Sequence, residues 1–516
     1  DTDNFVIDFR DGDSVPTIGF GFDVNNPANF AYQPALADGT VLGGFSLQGK
    51  PSLNKTQNQT YELEGTWDVN DGFSIKGGGQ YRQSNYTAFN ASLYTANVAV
   101  RALPAGTTLA SITRPITGVG DLFGSGAPDS WVSIDADKWR QTFGFPDTFG
   151  FCEDASCGAG TAQVRERIKS GYLMVNFKTD DLPFPIRGDA GVRYVHTDQR
   201  SVGFIARPLA TSPTGVTGLR NQVDRSYENW LPSVNVVADF TPNLLGRISV
   251  AKVISRPELG PLIPSSAAIT ATTRNGSANN PFLDPVEADT FDAALEWYWA
   301  PGSLLSFAYF HKNIATFIQT QPNQIPFNQL GLPNELLTGT NTSPDEVFTI
   351  RQPTNTPGGP LEGFEVNLQT PFRFLPGFLS NFGMLASYVR VTSEIDYILQ
   401  SGGVFTAPLI GLSKHGASGT LYYEDSRFSI RGTANYRSPF LRGIIGANGS
   451  DYQGNKETLF VDASASYNLT DNIRLILEAT NLTDERNTLF VDSTREDTLF
   501  ETRIGRTVNF GVNVKF

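Results

Sequence analysis

The chain has 516 residues, of which 40% are hydrophobic, 12% aromatic and only 18% charged, so it is too apolar to stay disordered and too long for one ordinary small domain. Its 50 Gly, 37 Phe and 17 Tyr stand against 2 Met, 2 Cys and 3 His, which is the usage of twisted sheets and tight turns rather than of helices. A formal charge of −13, with the basic residues scattered singly, argues against nucleic acid as a partner, and His196, His311 and His415 are too far apart to build a zinc site with the cysteines.

No segment approaches the roughly 20 consecutive apolar residues that a spanning helix needs. The longest apolar runs are the size of Tyr172-Leu173-Met174-Val175, and mean hydropathy is −0.21. That excludes helical membrane proteins but not membrane barrels, whose strands alternate lipid-facing apolar with lumen-facing polar residues. No signal-peptide pattern follows Asp1, so the chain reads as mature or as starting partway through a longer protein.

Taken in order, the chain offers an opening strand near Phe5 to Phe9 and then a long loop from Asp11 to Gln57. Tyr61, Leu63, Trp67 and Val69 next alternate with Glu62, Glu64, Thr66 and Asp68 up to the turn Asn70-Asp71-Gly72. Phe73, Ile75 and Tyr81 return opposite Ser74, Lys76, Gln80 and Arg82. A long loop from Ser84 to Thr161 follows, and further hairpins turn at Asp180-Asp181-Leu182-Pro183, Thr241-Pro242-Asn243, Ala300-Pro301-Gly302-Ser303, Leu375-Pro376-Gly377 and Glu424-Asp425-Ser426-Arg427. These turn residues suit φ near −65° or φ > 0. Long loops are predicted from Arg256 to Pro285, Gln319 to Asp345 and Ile445 to Asn455. The clearest alternation is Leu459, Val461, Ala463, Ala465, Tyr467 and Leu469 against Thr458, Phe460, Asp462, Ser464, Ser466 and Asn468.

The repeating unit is therefore a long period-two strand, a tight turn, a second strand and a long polar loop. It predicts an all-β, transmembrane, antiparallel up-and-down barrel of about sixteen strands, with short turns at one end and long external loops at the other. Residues 1–160 hold the early strands and long external loops, and residues 161–516 the regular hairpins. A soluble propeller, β-helix or large sandwich also has many strands. Long strands, the strict short-long alternation of connections and aromatics near strand ends such as Trp297-Tyr298-Trp299 favour the barrel.

No catalytic arrangement is legible. Acidic pairs such as Asp180-Asp181 fall at turns, and the three His lie on separate strands. Neither a cofactor nor a resident metal is expected. Cys152 and Cys157 lie in the longest loop, where a disulfide would staple a loop tip, with a free reactive pair or metal clip as the alternative. The same loop carries Trp131, Trp139, Phe143, Phe145, Phe149 and Phe151, suited to stacking on a ligand or to packing the loop against its neighbours as a lid. Candidate lumen residues on the inward parity are Arg187, Asp189, Arg193, Arg247, Asn367, Gln369, Arg431, Asn435 and Arg437.

Several motifs carry a family resemblance. Ile254-Ser255-Arg256-Pro257-Glu258-Leu259, then Asn279-Asn280-Pro281-Phe282-Leu283-Asp284-Pro285 running to Asp292, with Asn481-Leu482-Thr483-Asp484-Glu485 and Gly505-Arg506-Thr507, resemble the barrel of TonB-dependent outer-membrane receptors, in particular a proteobacterial subfamily of Caulobacter- and Sphingomonas-like bacteria. The last strand, with Phe510, Val512, Val514 and the terminal Phe516 on one apolar parity, is similar to the signal that the barrel-assembly machinery reads in outer-membrane proteins.

The resemblance implies a Gram-negative outer-membrane location, no enzymatic activity, and a barrel of about 22 strands around an amino-terminal plug that contacts the TonB complex. Neither plug nor contacting box is visible here, which places Asp1 partway through the barrel. The expected function is uptake of a scarce small solute, an oligosaccharide or a chelated metal such as a siderophore. A passive porin-like channel and a surface scaffold are the alternatives. Expected partners are outer-membrane lipid and lipopolysaccharide, the TonB complex through the plug, the assembly machinery, the solute and surface lipoproteins.

Overall fold

The structure is a computed structural model that describes residues 5–8, 17–30, 52–90, 103–118, 120, 127–144, 161–208, 216–264, 266–330, 332, 334–338, 340–399, 403–444, 446–447 and 450–516. No described helix is long and apolar enough to cross a membrane.

One antiparallel sheet of 15 strands dominates. Its strands are β1 (Ser52–Asn70), β2 (Phe73–Asn90), β3 (Ala162–Thr179), β4 (Ile186–Pro208), β5 (Val216–Thr241), β6 (Leu244–Ser255), β7 (Val286–Ala300), β8 (Ser303–Ile314), β9 (Pro360–Pro371), β10 (Phe382–Ser393), β11 (His415–Glu424), β12 (Phe428–Arg437), β13 (Thr458–Thr470), β14 (Ile473–Thr480) and β15 (Thr507–Val514). Each pairs only with its sequence neighbours, an uninterrupted meander with β1 and β15 at its two edges. The sheet thus has 15 strands against about sixteen expected. The difference is the opening segment, because Phe5–Asp8 pairs with Thr17–Phe20 in a separate two-stranded sheet.

The faces are inverted relative to a soluble protein. Leu63, Trp67, Leu173, Trp230, Ile248, Leu421, Leu469, Leu477 and Phe510 are exposed on one parity of their strands. So large an apolar surface is stable only against lipid or a partner. Aromatic side chains bound this band. Tyr61 and Tyr81 lie 6.4 Å apart and Tyr194 and Trp230 4.9 Å apart toward the loop end, while Phe184 and Phe240, 5.1 Å apart, and Trp297 and Trp299, 5.3 Å apart, lie by the tight turns. From Phe73 to Tyr81 on β2 is eight residue steps, roughly 21 Å along the membrane normal for a strand tilted by about 40°, close to the height of an outer-membrane apolar band.

The long connections are not structureless, as the polar composition suggested. Ser266–Thr270, Asn275–Ala278, Val347–Pro357 and Thr316–Pro326 form a four-stranded sheet, and Phe440–Ile444, Tyr452–Asn455, Arg486–Val491 and Asp497–Arg503 form another. The first has its own core of Phe327, Phe348, Ile350 and Leu337. The predicted loop from Ser84 to Thr161 begins inside β2 and ends just before β3, and the β2–β3 ladder runs without a break from Phe73↔Phe177 to Ala88↔Ala162.

Candidate functional site: the inner wall and its outer mouth

The inward parity is tiled by polar pairs, most of them across neighbouring strands, although toward the loop end Glu166 Oε1, Thr197 Oγ1 and Asn229 Oδ1 are buried without a hydrogen-bond partner among the described residues. Tyr172 donates to Glu64 at 2.9 Å, and Lys76 lies 3.0 Å from the same carboxylate oxygen. Of the residues singled out from sequence, Arg187 pairs with Asp239, Arg193 lies over the Tyr172 ring at 5.0 Å, and Arg247 donates to Glu296 at 2.6 Å. Asp189 accepts from Asn235 at 2.8 Å, Asn367 donates to Glu365 at 2.9 Å and Gln369 to the Gly302 carbonyl at 3.3 Å. Arg431 stands opposite Tyr422 and Asn435 opposite Ser418 on the β11–β12 ladder, while Arg437 covers the Phe440 ring at 3.7 Å. These residues lie along one wall rather than converging on one pocket.

The wall is most heavily covered at its loop end. Between β6 and β7 the chain folds back so that Leu262, Ile263 and Leu283 pack against Ala88 of β2 and Ala162 and Val164 of β3. Gln199 donates to the Pro281 carbonyl at 2.9 Å, and Arg225 to Asp284 at 2.5 Å. On its other side the segment is stitched to Val347–Pro357: Asn280 donates to the Pro353 carbonyl at 2.9 Å, and Asp284 and Asn355 exchange hydrogen bonds of 2.9 and 3.0 Å. The Asn279–Pro285 motif is thus a clamp that holds two external segments to the wall.

Beneath it lies Glu166, 3% exposed on the parity of Ala162, Val164 and Ile168. Burial pushes its carboxyl up, opposed by the charges of Arg256, Arg82 and Arg225 and by a hydrogen bond from Tyr227. Burial, then the charge of Glu166, also push the Tyr227 hydroxyl up. Arg82, Glu166, Arg225 and Tyr227 were not singled out from sequence as site residues. The available signal was an acidic residue in the middle of an otherwise apolar parity. Arg256 was visible only as part of a motif.

The external aromatics pack internally. Trp139 and Phe143, on helix α1 (Ala136–Phe143), are buried with Ile112, their rings 4.8 Å apart. Trp131 contacts Phe20 edge-on at 5.0 Å and donates to the Pro128 carbonyl at 2.9 Å. Phe145, Phe149, Phe151, Cys152 and Cys157 lie outside the described residues. At the other end of the chain, Asn481, in the left-handed region at φ 55°, donates to the Gly505 carbonyl at 3.0 Å and accepts from the Glu485 amide at 2.7 Å. Arg503 reaches Asp484 at 2.5 Å, holding that carboxyl below its usual range, and Arg506 donates to the Leu482 carbonyl at 3.0 Å. Asn481–Glu485 and Gly505-Arg506 are therefore two halves of one clasp across the last external connection.

The family model described as TonB dependent receptor-like, beta-barrel, matches residues 2–482. The chain belongs to this TonB-dependent receptor β-barrel family. Its fold is that of solved outer-membrane receptors: the ferric-catecholate import receptor Fiu from E. coli K12 (15% identity, 90% of this chain and 55% of that one, TM-score 0.54) and the siderophore receptor PiuA from Acinetobacter baumannii (16% identity, 90% and 56%, TM-score 0.53). The ferric citrate transporter FecA is a further match (12% identity, 90% and 56%, TM-score 0.50). The chain spans about half the length of these receptors. No curated protein matches the sequence. As a TonB-dependent receptor barrel the chain is an outer-membrane protein, its apolar parity turned to lipid and its tight turns and long connections at opposite ends of the strands.

Proposed function

We propose that the chain forms the wall and external loops of a receptor that takes up a chelated metal across the outer membrane, energised by the TonB complex. The observation that carries this reading is the mouth. A clamped segment folds onto the inner wall over Arg82, Arg225 and Arg256, a concentration of cations suited to an anionic ferric chelate. The names of the receptors that share the fold support a chelated metal over an oligosaccharide. Trp131, Trp139 and Phe143 would act by shaping the loops, and the inward pairs Arg187–Asp239, Arg193–Tyr172 and Arg247–Glu296 by lining the route.

Uptake of radiolabelled ferric siderophores and of labelled maltodextrins by cells making the full natural protein tests this. Ferric-chelate uptake that disappears when the proton gradient or TonB is removed, and that falls about tenfold in Arg256→Ala, is the expected result. Uptake indifferent to energy would make the protein a pore, and uptake of the sugar alone would overturn the substrate class.

A further inference from the structure

The outer face of the sheet carries a second feature, unrelated to the lumen. The basic residues, which read as scattered singly, are gathered by the fold: Arg165, Arg167 and Lys169 alternate along β3 on the same parity as lipid-facing Leu173. The ladders align Gln83, Arg167, Asp198 and Ser226 in one row and Asn85, Arg165, Arg200 and Asp224 in the next. A niche of about 460 Å³ opens there, lined on the outward parity by three arginines, Arg165, Arg167 and Arg200, against two carboxylates, Asp198 and Asp224. Local charge is thus positive in a chain whose net charge is −13.

Its cations are not equally committed. Arg200 is 2.6 Å from Asp224, and Lys169 is 3.2 Å from Asp198. Arg165 and Arg167 instead direct their Nε groups to neutral amides, Asn85 at 3.0 Å and Gln83 at 3.3 Å, and neither has a carboxylate partner among the described residues. Fixing Nε in this way orients the fork while leaving the terminal N–H groups of both guanidiniums for an anion.

Position identifies the anion. The two rows lie beyond the aromatics at the top of the apolar band, next after the row of Tyr81, Lys169, His196 and Glu228, which itself follows Tyr194 and Trp230, at the level of lipid headgroups. Directly below, Gly65, Gly77, Gly79 and Gly171 share the outward parity on adjacent strands, and a Cβ built on any of them meets no atom closer than 3.5 Å. They leave a strip of bare backbone in which an acyl chain can lie flat, between Leu63 and Leu173.

We propose that Arg165 and Arg167 bind a phosphate group of an outer-leaflet lipid, whose acyl chain lies along the glycine strip below. Native mass spectrometry of the full-length protein, extracted from outer membranes and delipidated in detergent, tests this with diphosphoryl lipid A, dephosphorylated lipid A and inorganic phosphate as probes. The diphosphoryl lipid should be retained at least tenfold more strongly than its dephosphorylated form, with millimolar inorganic phosphate failing to displace it. Arg165→Gln with Arg167→Gln should remove about tenfold of that retention, while Arg373→Gln with Arg427→Gln, which deletes the same charge at the tight turns, should not. Heat-modifiable migration on gels verifies folding of both variants. Equal retention of the two lipids by the unaltered protein, or displacement by inorganic phosphate, would overturn the proposal whatever the variants do. So would unchanged retention by the folded double variant.

Discussion

The first five strands and the last eight solve different problems with the same alternation. β1 to β5 contain 19, 18, 18, 23 and 26 residues, whereas β8 to β15 contain between 8 and 13. A tilted strand crosses the apolar layer in about 9 to 11 residues, so the later strands are little more than crossings, and the earlier ones continue their ladder well beyond it. The continuation changes what alternation means. Within the band the outward residues are Leu173, Val192 and Val234, and above it on the same strands they are Arg167, Asp198 and Ser226. Inward, the order reverses: polar pairs line the band, and Val164 and Ile168 are buried above it with Glu166 between them. One backbone register thus serves lipid below and packed loops above.

The largest test of that contrast places one new charge at two heights. Leu173→Arg, at mid-band, should destabilise the folded barrel by about 2–4 kcal/mol, read from urea unfolding in lipid vesicles. Ser226→Arg, on the outward parity of the extension, should change it by less than about 0.5 kcal/mol. Equal costs would mean that the two regions face the same medium.

A smaller effect is expected inside the band. Gly78 faces inward beneath the Tyr172 ring, and a Cβ there would stand 2.6 Å from Cε1. Gly78→Val should therefore displace Tyr172 from Glu64 and cost about 1–3 kcal/mol. Gly79→Val, on the outward side where the nearest atom is 3.8 Å away, should cost much less in the same assay.

The clamps at the loop end should titrate in opposite directions. The Glu166 carboxyl is raised by burial, so its contribution to closure is complete below the ordinary carboxylate value and is lost as pH rises through the raised one. The Asp484 carboxyl is lowered by Arg503, so its contribution holds above the ordinary value and is lost as pH falls through the lowered one. Hydrogen exchange of residues 256–264, corrected for intrinsic rates, should quicken as pH rises, and Glu166→Gln should flatten that response. Exchange at residues 481–485 should quicken as pH falls instead.

Much of the barrel was legible because period two is enforced by the medium: Leu459 to Leu469 alternates without error since each outward position meets lipid. The tight turns were legible through their Pro, Gly and Asp residues for local reasons. What the pattern hid lies above the band, where alternation no longer separates lipid from water. The extension of β2 from Ser84 to Asn90 reads as loop because Ser84, Asn85 and Thr87 are polar on both faces. The Arg165-x-Arg167-x-Lys169 spacing was visible in the chain, yet its meaning required knowing that this parity faces outward, just beyond Tyr81. The Arg82, Glu166, Arg225 and Arg256 group is spread from β2 to the end of β6, five strands of sequence, and becomes a cluster only through the register.

The central claim is the height at which the outward face passes from lipid to water, and spin-label accessibility along β3 measures it. With Cys152 and Cys157 replaced by Ser, single cysteines at positions 165, 167, 169, 171, 173 and 175 of the full-length protein in lipid nanodiscs would be labelled and probed with oxygen and with a water-soluble nickel complex. Oxygen access highest at 173 and 175, with the crossover to nickel access between 171 and 167, is the result predicted. Equal oxygen access at 165 and 173, or nickel access dominating at 173, would contradict it.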